Sequence, residues 1–199
     1  IDEALSTLRS FAAHFFAEPA AAGPAIEAAA RVLDLLQRFL LGEIQRAKGL
    51  RNEPVLRDLE LSILVLDPET RPFVLRKVAS NRPSDPRPAE LGFEIGDGAA
   101  GRAYKKRMVR VYNSAEAARD PENNTYIKLE NRPEHRFLIS IPMINERDGI
   151  AYGVWNIGTF RATDTHYLSE VSKPEHAVGL LSGASKALTQ LLRDLKLEE

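Results

Sequence analysis

Hydrophobic and polar positions follow two different rhythms along this chain. Leu5, Leu8, Ala12 and Phe15 recur at helical spacing, which predicts a short amphipathic helix from about Asp2 to Ala17. The stretch Glu18-Pro19-Ala20-Ala21-Ala22-Gly23-Pro24 ends it. A longer helix is predicted from about Ala25 to Lys48, with Glu27, Arg31, Asp34 and Arg38 on one polar stripe. Ile26, Ala30, Leu33, Leu36, Leu40 and Ile44 form one apolar row, and Ala28, Val32, Leu35 and Phe39 a second. A helix with so narrow a polar stripe buries more than one face. It is expected to pack on a sheet and on another helix, which a second subunit could supply.

From Arg57 the period shortens to two. Leu59, Leu61, Ile63 and Val65 alternate with Glu60, Ser62 and Leu64, as in a strand. Asp67-Pro68-Glu69-Thr70 is a turn, and Pro72 to Ala79 reads as the returning strand. Ser80 to Pro88 is a loop. A short helix from about Ala99 to Arg107 follows, then strands at Met108–Tyr112, Phe137–Met143 and Ile150–Ile157. Asn145 to Gly149 fits a hairpin link between the last two. Ala115 to Asn131 is polar and reads as a flap or an interaction loop. Glu175 to Leu197 is the last predicted helix, with Leu181, Ala184, Leu188, Leu191 and Leu195 forming the seam of a helix pair. The order predicts an α+β domain, with a mainly antiparallel sheet carrying helices on one face. Residues 1–55 form an expected helical segment, and 56–199 the domain proper.

Composition narrows the chemistry. In 199 residues, 44% are hydrophobic and 28% charged, ordinary values for a soluble globular protein, and the formal net charge is −1. That balance predicts no nucleic-acid partner. No apolar run reaches the roughly 18 residues of a membrane span, so no membrane partner is expected. There are no cysteines, which removes disulfides, thiolate metal sites and cysteine nucleophiles and suits a reducing, cytoplasmic setting. The chain starts at Ile1 without a basic, then apolar leader, and is read as trimmed.

Three segments carry a resemblance. Ile95-Gly96-Asp97-Gly98-Ala99-Ala100-Gly101-Arg102-Ala103-Tyr104, followed by Val109-Arg110-Val111-Tyr112-Asn113, is similar to the glycine turn, short helix and strand of GAF domains. Arg136-Phe137-Leu138-Ile139-Ser140-Ile141-Pro142-Met143 resembles the next GAF strand with its proline. Tyr152-Gly153-Val154-Trp155-Asn156-Ile157-Gly158 resembles the strand after it, with its glycine. The resemblance spans about Leu56 to Leu192 and implies a GAF-like fold: N- and C-terminal helices on one sheet face and a ligand pocket on the other. The PAS fold is the near rival.

The same glycines spell G-x-G-x-x-G, with Glu116 downstream, but a dinucleotide fingerprint needs a βαβ unit and a longer helix. They are read as turn and helix-start glycines instead. His14, His135, His166 and His176 form no close ligand pair, so no metal site is expected. His135 and His166 are weighed as haem ligands and read as surface or hydrogen-bonded histidines. No nucleophile motif surrounds Ser140. Glu130 and Glu134 read as solvated loop carboxylates. The family's methionine-sulfoxide reductases and most of its bilin-binding photoreceptors need a cysteine, and the N-K-F-D-type motif of the cyclic-nucleotide-binding branch is missing. No catalytic residue is assigned and no cofactor is named.

The position of the resembling segments implies a pocket set of Phe93, Tyr112, Asn113, Tyr126, Arg136, Ser140, Trp155 and Asn156. Aromatic rings there could stack on a planar ligand, Arg136 could pair with a carboxylate or phosphate, and Ser140 or Asn156 could orient it. Each also has a plainer reading as core or surface. Two functions follow. One is a ligand-sensing regulatory domain that relays through a homodimer of its terminal helices. The other is an interaction module whose pocket is filled by its own side chains.

Overall fold

The computed structural model describes residues 26–38, 59–81, 92–117, 134–145 and 148–171, together with 6, 9, 10, 12, 13, 16, 23 and 119. Six strands, β1 (Leu59–Asp67), β2 (Val74–Ser80), β3 (Gly92–Glu94), β4 (Arg110–Asn113), β5 (Phe137–Ile144) and β6 (Ala151–Thr159), form one sheet. Two helices, α1 (Gly98–Lys106) and α2 (Ala162–Val171), accompany it. Residues 26–38 form a leading helix. The strand order is β3-β2-β1-β6-β5-β4, and each neighbouring pair is antiparallel. This is the predicted α+β architecture with an antiparallel centre.

The first and last strands are neighbours at the middle of the sheet. All nine residues of β1 and all nine of β6 are buried, so both faces are covered there. Partners directly opposite in a ladder present their side chains on the same face. One face collects Leu61, Ile63, Trp155, Ile157, Ile139 and Ile141, all apolar. The other carries Glu60, Ser62, Asn156, Ser140 and Arg110, and becomes apolar again at Leu64, Leu66, Leu75 and Val154. Polar strand positions normally face water. Here they face protein.

The chain reaches β4 from β3, the opposite edge of the sheet, through α1. That helix touches β3, β4, β5 and β6, so it crosses one face. Its Ala99 packs with Tyr112 and Leu138, which places α1 over the polar face. The glycines explain the approach. Gly96 and Gly98 have φ of +102° and +55°, which L-residues with side chains adopt only under strain. A Cβ on Gly101 would sit 2.2 Å from the Glu94 carbonyl oxygen. The G-x-G-x-x-G run therefore makes a tight turn and a close backbone contact beside an antiparallel sheet.

Several boundaries match expectation: the β1–β2 hairpin, α1, and strands β4 to β6. In the β1–β2 turn, the Asp67 carboxylate accepts from the Glu69 amide at 3.0 Å. The leading helix exposes Glu27, Arg31, Asp34 and Arg38 and contributes Ala29 and Leu33 to the core. In the second apolar row Val32 packs against the core, whereas Leu35 is 64% exposed. β3 lies beyond the loop predicted to end at Pro88, in a stretch to which no element was assigned. α2 lies between the last predicted strand and the helix expected from Glu175, where no helix was predicted. The described residues of the first predicted helix are helical. The rest of that helix, the remainder of 25–48 and the whole of Glu175–Leu197 lie outside the described residues.

Candidate functional site

Four strands set a line of polar side chains under α1. Arg110 on β4 pairs with Ser140 on β5, Ser140 with Asn156 on β6, and Asn156 with Ser62 on β1. At about 4.8 Å per strand, Arg110 and Asn156 stand about 10 Å apart along the backbone. Ser140 is 0% exposed and Asn156 8%. Arg110 is half-buried. Arg110 Nε, Ser140 Oγ and Asn156 Oδ1 are each buried with no hydrogen-bond partner. A buried polar atom left unpaired costs roughly 1–3 kcal/mol, and native interiors leave few of them. Trp155 Nε1 and Asp164 Oδ2 are also unpaired, but each stands alone. The row is distinguished by three such atoms on adjacent strands of one face.

One register step along the same face lies a charged cluster. Lys77 Nζ donates to Glu60 Oε1 at 2.8 Å, and both side chains are at least nine-tenths buried. His135 Nε2 lies 3.3 Å from Glu60 Oε2, in a geometry short of a full hydrogen bond. The imidazole stacks on Phe160 with centroids 4.1 Å apart. Gly158 makes room for it, since a Cβ there would lie 2.6 Å from the ring. Burial opposes ionisation of Glu60, but the adjacent His135 and Lys77 outweigh it and hold the carboxyl down at about 2. Next to this cluster the Tyr112 hydroxyl donates to Glu134.

α1 is pinned over the site by one side chain. The Tyr104 hydroxyl donates to the Ala151 carbonyl at 2.9 Å. Burial pushes that phenol up to about 12, with Arg107 pulling the other way, so it stays a donor.

The structure sorts the expected pocket residues. Tyr112, Ser140 and Asn156 share the polar face. Phe93 lies on the same face by register, opposite Leu75, but at the far edge strand. Trp155 occupies the opposite face, fully buried in the apolar core. Asn113, opposite Phe137, also turns to that face, and its Oδ1 accepts from the Ala115 amide at 3.1 Å. The Arg136 side chain is exposed, and its backbone links Thr159 and Ser114. Tyr126 lies outside the described residues, as does most of Ala115–Asn131. Sequence reasoning passed over Arg110, Ser62, Glu60, Lys77 and the site role of His135. The available signal was faint: Glu60 and Ser62 on β1, Arg110 on β4, Ser140 on β5 and Asn156 on β6 are polar residues set in hydrophobic strand segments. His166, the other haem candidate, is exposed on α2.

Among the described residues, no three His, Asp or Glu side chains are grouped to hold a metal ion. None of their helices is long and apolar enough to cross a membrane.

No family model matches the chain. No curated protein sequence matches it either. Solved structures do. The GAF domain region of a protein from Geobacter sulfurreducens PCA aligns with a TM-score of 0.52 at 17% identity, covering 84% of this chain and 93% of that one. The GAF domain of an Acinetobacter phosphoenolpyruvate-protein phosphotransferase aligns at 0.50 and 14% identity, covering 84% and 92%. The type II free methionine-R-sulfoxide reductase of Thermoplasma acidophilum scores 0.47 at 17% identity, covering 80% and 96%. The protein has a GAF-like fold. At these identities the likeness is one of architecture.

Proposed function

We propose that the chain is a non-catalytic sensory or regulatory domain that holds a small molecule between the polar sheet face and α1. The observation carrying this reading is the row of unpaired buried atoms on Arg110, Ser140 and Asn156. A ligand with complementary groups would satisfy all three at once. The missing cysteine supports a non-catalytic role, and so does the engagement of Glu60 with Lys77 and His135. A cytoplasmic setting belongs to the same reading.

Relay requires a ligand that binds two states of the protein unequally. α1 is the natural moving part. It lies over the polar face, and Tyr104 bonds it to Ala151, the first residue of β6. Output through a homodimer of terminal helices completes the proposal, and the exposed Leu35 of the leading helix supports it.

Native mass spectrometry with and without denaturation tests the ligand. A small molecule released only on unfolding is the expected result. No bound mass, together with no thermal shift across a metabolite panel, would favour the interaction module. Light scattering tests the dimer: a wild-type dimer weakened by Leu35→Glu is expected, and a monomer at high concentration defeats that part.

A further inference from the structure

The charged groups on the polar face are not equally partnered: Glu134 accepts from Tyr112 and Glu60 from Lys77, whereas Arg110 stands beside neutral groups of the row. Glu60 is matched by Lys77 and by His135 at the other carboxylate oxygen. Arg110 has no carboxylate partner among the described residues, and its Nε is buried. The guanidinium is half-buried, so water only partly screens a counter-anion bound beside it, and neither Ser140 nor Asn156 supplies that charge.

Its surroundings add to the demand. From Gly98 to Tyr112 the chain carries Arg102, Lys105, Lys106, Arg107 and Arg110 and no acidic residue. This segment contains α1 and runs into β4, so the chain leading to Arg110 offers it no carboxylate.

We infer that the ligand bears a carboxylate or phosphate that pairs with Arg110, and a neutral hydrogen-bonding group that meets Ser140 and Asn156. The inference rests on the reading that this face binds a small molecule. The guanidinium fork matches either anion in two parallel hydrogen bonds. Ser140 Oγ can donate or accept, and Asn156 offers a carbonyl, so the distal group is a hydroxyl, amine or amide. A row of about 10 Å limits the molecule to metabolite size. Hydroxy acids, amino acids and phosphorylated polyols fit these terms.

The test uses the full chain as wild type, Arg110→Gln and Ser140→Ala. The probes are malate, glycerol 3-phosphate and neutral glycerol at matched ionic strength, read by thermal shift and calorimetry. Malate or glycerol 3-phosphate is expected to raise the wild-type melting temperature, and the better of the two decides between carboxylate and phosphate. Glycerol is expected to do nothing. Arg110→Gln should weaken anion binding by about tenfold or more. In anion-free buffer the same variant should melt at or above wild type, because it removes an unpaired charge.

Equal shifts from glycerol, an anion shift that survives Arg110→Gln, or no shift from either anion would overturn the inference. The broader reading fails separately. If native mass spectrometry releases a neutral molecule whose retention ignores Arg110→Gln, only the anion assignment falls. If nothing is bound and no probe shifts, both fall.

Discussion

Trp155 and Asn156 are neighbours in sequence and lie on opposite faces of β6. Trp155 is 0% exposed among Ile63 and Ile141, its partners across the ladder. Asn156 is almost equally buried, between Ser62 and Ser140. Burial is the same, but its meaning differs. On the apolar face buried area and packing supply stability. On the polar face burial sets unpaired groups in place at a cost to stability, a pattern expected where a fold holds a site.

The comparison predicts its largest contrast at that pair. Trp155→Ala should lower unfolding free energy by about 3–5 kcal/mol, from lost transfer energy and a cavity. Asn156→Ala should change it by about 1 kcal/mol or less, because its buried oxygen bonds to nothing. Urea denaturation of both variants measures the gap. Equal costs would erase the distinction between the faces.

The charged cluster sharpens the contrast, since there Glu60 and Lys77 are paired on the polar face. Glu60→Gln strands a buried Lys77 and should cost about 3 kcal/mol or more, whereas Glu60→Met with Lys77→Met should come close to neutral. The pH dependence follows from the depressed carboxyl. Glu60 titrates near 2 in the fold and near 4.5 when unfolded. Its contribution is therefore fully present above pH 4.5 and is lost as pH falls toward 2. Urea midpoints measured from pH 5 down to pH 2 should show that loss in wild type and not in Glu60→Gln. Identical slopes would mean Glu60 is not held ionised.

Gly158→Ala is a smaller intervention at the same place. The new methyl would lie 2.6 Å from the His135 ring, so the ring must move away from Glu60. Overpacking of this kind costs typically about 1–3 kcal/mol. The acid-sensitive component of stability should shrink with it. An unchanged midpoint and pH profile would show that His135 is not confined by that glycine.

What the sequence revealed and concealed follows the same division. Alternation at Leu59, Leu61, Ile63 and Val65 marks β1 because one residue's phase tells which face it takes. Glycine chemistry marks α1. β3 has only three residues, too few for a period, and α2 carries Thr163 and Thr165, poor helix formers, around the buried Leu168. The site needed more than phase. Arg110, Ser140, Asn156 and Ser62 meet only through the register of four strands, which no single segment encodes. Lys77 was harder still. Between Ile63 and Leu64 the β1–β2 ladder shifts, leaving Val78 as an extra residue. That bulge puts Lys77 opposite Leu64, on the polar face within reach of Glu60.

The smallest predicted effect on stability is also the most diagnostic. Ser140 is fully buried, and its hydroxyl has no partner. In an ordinary core a serine that bonds to nothing is a defect, and Ser140→Ala would remove one unsatisfied group and open almost no space. The variant should therefore be neutral to about 1 kcal/mol more stable than wild type in ligand-free urea denaturation. If the hydroxyl exists to meet a ligand, the same variant should lose part of the thermal shift given by whichever anion binds wild type. A variant destabilised without ligand would show that Ser140 already has a structural partner. A variant that keeps full ligand stabilisation would leave the row a packing defect. Opposite signs in the two conditions, from removal of one oxygen atom, would separate a group kept for the fold from one kept for binding.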